Sequence, residues 1–307
     1  MQTLESLSRK IGGAKELKSI VRTMKAMAAA NIGQFEAAVE SIGKYYSSVA
    51  MGILAYLQDE QIGSLLEMEK LKKNSENSVC AIVFGSDQGF VGQFNDKVID
   101  FLGESFQGRA PIKEVWTIGD RVSLLIKETA MNETRNFPLP NSLDAITSLI
   151  SSILISVEES YEKGLLSEFY IFHNQSKPET VYTPTVKRLL PFDEKWRQDL
   201  MAHSWPEKMN PEVIGKDKDI IGSLISEYLF VTLYKACAES LASENYSRLG
   251  AMQQAEKNIE SLLEEISQAY HHLRQSSIDE ELFDVVSGFE ALKDSSENEN
   301  KTSGKPN

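Results

Sequence analysis

Leu241-Ala-Ser-Glu-Asn-Tyr-Ser-Arg-Leu-Gly-Ala-Met252 lies inside a stretch with no proline between Pro211 and Pro306 and only scattered glycines. Around it apolar side chains return every three or four residues: Leu224, Tyr228, Val231, Leu241, Leu249, Met252, Ile259, Leu262, Ile266 and Leu273. That period belongs to an α-helix with one apolar stripe, and it predicts a single helix from Asp219 to about Leu292. About 55 residues at ~1.5 Å each make a rod on the order of 80 Å long, far more than a compact domain of this size spans. Such a rod needs a partner helix.

The partner stands at the other end of the chain. Leu4, Leu7, Ile11, Ala14, Leu17, Val21, Met24, Ala28, Ile32, Phe35, Val39, Ile42, Tyr46, Val49, Ile53 and Tyr56 step by threes and fours, with no proline before Pro111. This is a coiled-coil seam, with slips expected at Ala14–Leu17 and at Ala28–Ile32. Lys15, Lys18, Arg22 and Lys25 run beside it as a positive stripe, either an ordinary solvated face or a face toward acidic partners.

Between the helices the texture changes. Glu67–Ser78 is polar and reads as a linker. Val79–Phe84 is a short continuous apolar run, the mark of a buried parallel strand. Lys113–Ile118, Glu168–His173 and Val181–Leu190 follow as strands, the last bent or at an edge because of Pro184. Helices are expected over Gln93–Leu102, Asp120–Glu128 and Ser142–Lys163. Alternating strands and helices imply a Rossmann-like parallel α/β domain. The organisation read from the residues is a shaft helix over 1–58, a linker over 59–78, the α/β domain over 79–205, a second shaft helix over 206–292 and a disordered tail over 293–307. The fold class is α/β, with a long antiparallel coiled coil of the terminal helices and the α/β domain inserted between them.

Composition narrows the function classes. The 307 residues carry a formal charge of −13, which argues against bulk nucleic-acid binding. There is no uninterrupted apolar run of about 18 residues and no signal peptide, so no membrane insertion is expected. Cys80 and Cys237 fit neither a zinc spacing nor a disulfide framework, and His173, His203, His271 and His272 have no partner at ligand spacing. The turn Gly85–Gly92 follows a strand and opens a helix, but it matches neither dinucleotide nor P-loop spacing. Tight strand–helix packing, with Ser86 or Asp87 capping the helix, is the stronger reading. No catalytic, cofactor-binding or metal-binding residues are expected, which favours a mechanical or binding role.

The run Leu241–Met252, continued to Asn258, resembles the long C-terminal helix of the γ subunit of F-type ATP synthases. So does Arg274-Gln-Ser-Ser-Ile-Asp-Glu-Glu-Leu-Phe-Asp-Val-Val-Ser-Gly288, and Ile20–Asn31 is similar to that family's N-terminal helix. Ser86–Gly92 with Asn95, and Ile118-Gly119, match its two glycine turns. The resemblance implies a rotor shaft inside a hexamer of three α and three β subunits, with the α/β domain against the ε subunit and the c ring. It implies no cofactor on this chain, since nucleotides bind on α and β, and a peripheral place on the cytoplasmic face of a bacterial or archaeal plasma membrane. Contacts to the ring map onto Lys15, Lys18, Arg22, Met24, Lys25, Glu244, Arg248, Arg274 and Gln275. Leu282, Val285, Val286 and Phe289 map onto an apolar bearing.

Within that resemblance there are departures. Gln88 stands where the family carries a basic residue, Asp279 where it carries a small hydroxyl, and the chain runs past the usual ending at Leu292. No cysteine pair interrupts the α/β domain, so the chloroplast-type redox switch is not expected. The departures suggest a divergent branch, with a sodium-type ATPase among the alternatives. Two other classes stand beside the rotor: a coiled-coil scaffold with an α/β head, and a nucleotide-dependent enzyme using Gly85–Gly92.

Overall fold

The computed structural model describes residues 3–58, 78–107, 111–177, 180–192, 194–202, 205, 209 and 218–302. The elements, in chain order, are α1 (Leu4–Gln58), β1 (Val79–Phe84), α2 (Phe94–Ser105), β2 (Ile112–Ile118), α3 (Asp120–Lys127), β3 (Glu133–Phe137), α4 (Leu143–Glu162), β4 (Glu168–Lys177), β5 (Thr180–Leu190), α5 (Glu194–Met201) and α6 (Lys218–Thr302). The chain divides into two compact units. One consists of its ends, Met1–Met24 and Met252–Asn307; the other is Lys25–Ala251. The linker expected over 59–78 lies, except for Ser78, outside the described residues.

In the central unit the sheet runs β3-β2-β1-β4-β5. β1 pairs in parallel with β2 and β4, and β2 with β3, and each step from β1 to β2, β2 to β3 and β3 to β4 passes through a helix, as parallel strands require. β4 and β5 pair antiparallel, so the sheet is mixed and not parallel throughout. An antiparallel partner needs only a tight turn, and only residues 178–179 separate the two strands. Pro184, which cannot donate to a ladder, sits in β5 at the sheet edge as its chemistry demands.

β3 and α5 had no clear signal in the residues. β3 is a short, largely exposed edge strand, Glu-Thr-Arg-Asn-Phe, without an apolar run to announce it. α5 falls in the piece Pro191–Pro211, expected as a connection. Its Trp196 stacks on Phe192 at 4.4 Å and lies edge-on to Tyr228.

Alternation of β1 side chains builds a core on each face. Cys80, Ile82 and Phe84 join Trp116, Ile150, Phe169, Cys237 and Leu241 on one side. Ala81 and Val83 join Val98, Leu102, Val122, Ile126 and Phe172 on the other. A third cluster ties the end of α1 (Val49, Ile53) to the start of α6 (Ile221, Tyr228, Val231) and to Leu200 of α5. Every α6 residue from Ala236 to Asn245 is buried, so this stretch has no solvent face. By length and composition one window of α6 between Ile220 and Phe289 is apolar enough to cross a membrane, a property it shares with buried core helices.

The long helices keep a stricter seam than the apolar residues alone suggest. Among the buried and half-buried positions of α1 one series, 4, 7, 11, 14, 18, 21, 25, 28, 32, 35, 39, 42, 46, 49 and 53, alternates three and four without a slip. Lys18 and Lys25 occupy seam positions, while Leu17 stands 56% exposed. A lysine stem is apolar enough to lie in a seam with its head at the rim, so the 3.5-residue period overrides the nearest apolar residue. On α6 the half-buried series Glu256, Ile259, Leu263, Ile266, Tyr270, Leu273 and Ser277 continues from buried Met252; Leu262, expected in the stripe, is exposed. Where a disordered tail was expected, the helical backbone continues to Thr302; 303–307 lie outside the described residues.

Gly119 holds the crossing between the β1 and β2 ends. Its φ is +111°, and a Cβ there would meet the Ser86 carbonyl oxygen at 2.8 Å. Gly119→Ala should therefore destabilise the chain by about 1–3 kcal/mol through combined backbone strain and overpacking, read as a lowered urea midpoint at constant m-value.

Candidate functional site

The sheet order reverses between β2-β1 and β4, which places the Gly85–Gly92 turn at the topological switch point, where α/β sheets commonly bind ligands. Here the turn is bound by the chain itself. The Ser86 amide donates to Asn95 Oδ1 at 3.0 Å, and Asn95 Nδ2 donates to Ser86 Oγ at 2.9 Å. The Ser86 carbonyl accepts from the Arg121 amide. Asp87 Oδ1 accepts from the Asp120 amide at 2.9 Å. The expectation that Ser86 or Asp87 caps the following helix is thus corrected: the N-cap of α2 is Gln93, which makes no side-chain cap hydrogen bond, and Asp87 serves the N-terminus of α3.

α6 lies directly on this turn. Ser247 Oγ donates to the Val91 carbonyl at 2.5 Å. One turn earlier, Glu244 is only 3% exposed and pairs with Arg248 four residues on. Arg248 is half-buried, and its Nε finds no hydrogen-bond partner among the described residues. Desolvation pushes the Glu244 carboxyl up to about 7; the charge and hydrogen bond of Arg248 oppose this, and Asp87 adds to it. Glu244, expected as a contact to another subunit, thus faces the chain's own interior. Phe90, at the tip of the turn, is exposed with φ +62°, a conformation rare for a bulky side chain.

A second buried charge joins sheet and helix nearby. Glu239 of α6 meets His173 Nε2 of β4 at 2.8 Å and accepts from Gln175 at 3.1 Å, with Lys235 at 3.9 Å. Burial alone would raise the Glu239 carboxyl, but the His173 hydrogen bond and charge, Lys235 and Gln175 hold it below the ordinary range. Among the described residues no group of three or more His, Cys, Asp or Glu is arranged to hold a metal.

The other expected positions lie on the long helices. Lys18 and Arg22 meet Glu260 and Glu256 of the same chain, at 2.8 and 2.7 Å. Lys15 is exposed; Met24 and Lys25 are half-buried. Arg274 and Gln275 are exposed just past the seam residue Leu273. From Ile278 to Phe289 every side chain is exposed, including Leu282, Val285, Val286 and Phe289. Ile278 and Phe283 belong to the same apolar surface and were readable from the same run. On α1 the outward residues Leu17, Ile20 and Met27 form an exposed apolar ridge beside Met24 that the seam reading absorbed wrongly or passed over.

A family model described as ATP synthase matches residues 3–292. The ATP synthase gamma chain of Syntrophus aciditrophicus is 25% identical over 298 residues, covering 95% of this chain and 99% of the relative. That of Brevibacillus brevis is 25% identical over 303 residues, covering 94% and 98%. Among solved structures, a chain of the Euglena gracilis mitochondrial ATP synthase OSCP/F1/c-ring assembly aligns with TM-score 0.62 at 15% identity, covering 95% of each chain. A chain of the rotor of the same synthase aligns with TM-score 0.58 at 15% identity, covering 90% and 98%. At that identity the likeness bears on fold.

The Glu244 pair carries a pH signature. Its folded carboxyl titrates near 7 against an ordinary value of 4.5, so folding takes up a proton in that window. The associated stability is whole below the lower value and lost as pH rises through the upper one. Glu244→Gln should flatten the pH dependence of the urea midpoint between these limits. An unchanged slope would show that Glu244 does not titrate there.

Proposed function

The chain belongs to the ATP synthase family, and on that premise we propose that it is the γ chain of an F-type synthase, the central shaft that couples rotation of a c ring to the nucleotide sites of the catalytic ring. Its partners on this reading are a hexamer of three α and three β subunits around the helices, and the ε subunit and c ring against the α/β domain. Its place is peripheral to the membrane, on the cytoplasmic face in a bacterium or archaeon. The chemistry of ATP belongs to the neighbours, and this chain transmits torque.

One observation carries the proposal. α6 continues beyond Ser277, its last half-buried seam residue among the described side chains, with six large apolar side chains exposed between Ile278 and Phe289. Left in water, such a surface is a liability; inside an apolar sleeve it turns without a directional bond to resist it. Just before it, Arg274 and Gln275 offer polar contacts. Exposed pairs of roughly 0–1 kcal/mol are strong enough to report an angle and weak enough to release. Lys15, Met24, Lys25 and Arg248 complete the proposed contact set. Lys18 and Arg22 enter it already paired within the chain, and Glu244 acts through Arg248. The switch-point turn, tied to α6, supports a shaft over a nucleotide enzyme.

Co-expression with α and β subunits should yield a complex of one copy of this chain to three of each. A stable homodimer by light scattering, with no effect on the hexamer's ATPase activity, would instead identify a coiled-coil scaffold. Within the complex, the double variant Arg274→Ala, Gln275→Ala should lower ATP-driven ion pumping several-fold. Because both residues are exposed, it should shift the stability of the free chain by no more than about 0.5 kcal/mol.

A further inference from the structure

Lys18 occupies a seam position of α1 and is 23% exposed, while its neighbour Leu17 faces solvent. Its ammonium meets Glu260 at 2.8 Å. One turn on, Arg22 Nε donates to Glu256 at 2.7 Å, with a second nitrogen 3.9 Å from Glu260. Glu256 is itself a half-buried seam residue of α6, four before Glu260. All four side chains belong to the unit formed by the chain ends.

A leucine in place of Lys18 would bury more apolar surface, so stability alone does not explain a lysine there. Specificity does. Most of the rest of this seam is apolar, with Leu4, Leu7, Ile11, Ala14 and Val21 on α1 and Met252, Ile259, Leu263, Ile266, Tyr270 and Leu273 on α6. Apolar residues repeating every heptad meet apolar residues equally well after a slip of one heptad, about 10 Å along the axis. The charges do not. After a slip in one direction Lys18 would stand opposite Ser267 and Arg22 opposite Leu263, and only Glu260 would keep a cation, Lys25; in the other they would face Gln253 and Leu249, and only Glu256 would keep one, Lys15. The nearest other carboxylates, Glu264 and Glu265, are on exposed sides of α6.

We propose that Lys18 and Arg22 with Glu256 and Glu260 are a register lock, a set of positioning residues that fixes which turn of α6 stands beside which turn of α1. It thereby sets the axial level of Arg274 and Gln275 relative to Lys15. The proposal does not depend on the rotor assignment, since it concerns how one chain pairs with itself.

The test is a distance measurement between spin labels on the full-length chain, at Ser8→Cys and Gln253→Cys. Both positions are exposed, and they stand about 25 Å apart along the axis, so a slip changes their separation directly. Cys80 and Cys237 are buried with their thiols pushed up by desolvation, and stay unlabelled. The parent should give one narrow distance. K18E/R22E should add a population displaced by about 10 Å, and K18E/R22E/E256K/E260K should restore the single one. If K18E/R22E keeps the parental distance, the lock is refuted. Should that variant not fold, K18L decides: a raised melting temperature with a broadened or second distance supports the lock, and a single parental distance overturns it.

Discussion

Ten consecutive residues of α6, Ala236 to Asn245, have no water on any side, and everything else is built around that enclosure. A helix can be surrounded only if its side chains are small enough for the neighbours to approach. Ala236, Cys237, Ala238, Ser240, Ala242 and Ser243 meet that requirement. The carboxylates and the amide that enter with them are answered inside. Glu239 is answered by His173 and Gln175, Glu244 by Arg248, and Asn245 by the Leu241 carbonyl. The Gly85–Gly92 turn completes the seat, its backbone accepting Ser247. A fold whose sheet order offers a ligand crevice here closes it with its own helix.

The charges show a division of labour along the two helices. In the central unit Glu239 and Glu244 of α6 are buried, the first held to β4 through His173 and the second paired with Arg248 on its own helix. In the unit of the chain ends Glu256 and Glu260 meet Arg22 and Lys18 along the seam. From Ile278 to Phe289 no seam remains and the apolar residues turn outward. One helix therefore passes from core element to coiled-coil strand to unpartnered surface, and only its side chains change.

Much of this was legible in the residues, because length and period are robust signals. No compact core accommodates a proline-free helix of that length, and Val79–Phe84 can hardly be anything but a buried strand. Failures came where one residue serves two rules. Leu17 looks like a seam residue and is not, because Lys18 keeps the heptad with its stem. Glu244 and Arg248 look like a surface pair, but the turn that buries Glu244 lies more than 150 residues away in sequence, and no local pattern encodes it. β3 is polar because an edge strand need be apolar on neither face, so nothing distinguished it from loop. The extension of α6 to Thr302 runs through residues whose composition alone suggests disorder.

The enclosure of Ala236–Asn245 gives α6 an uneven elasticity. A helix gripped on every side cannot twist without disturbing close-packed neighbours, so that segment is stiff. From Ile278 to Phe289, where every side chain is exposed, the same helix has little but its own backbone hydrogen bonds to resist torsion. It resembles a spring clamped at its root and free at its tip. A load applied near Phe289 would wind the slender end first and reach the sheet as a smoothed torque, whatever its source.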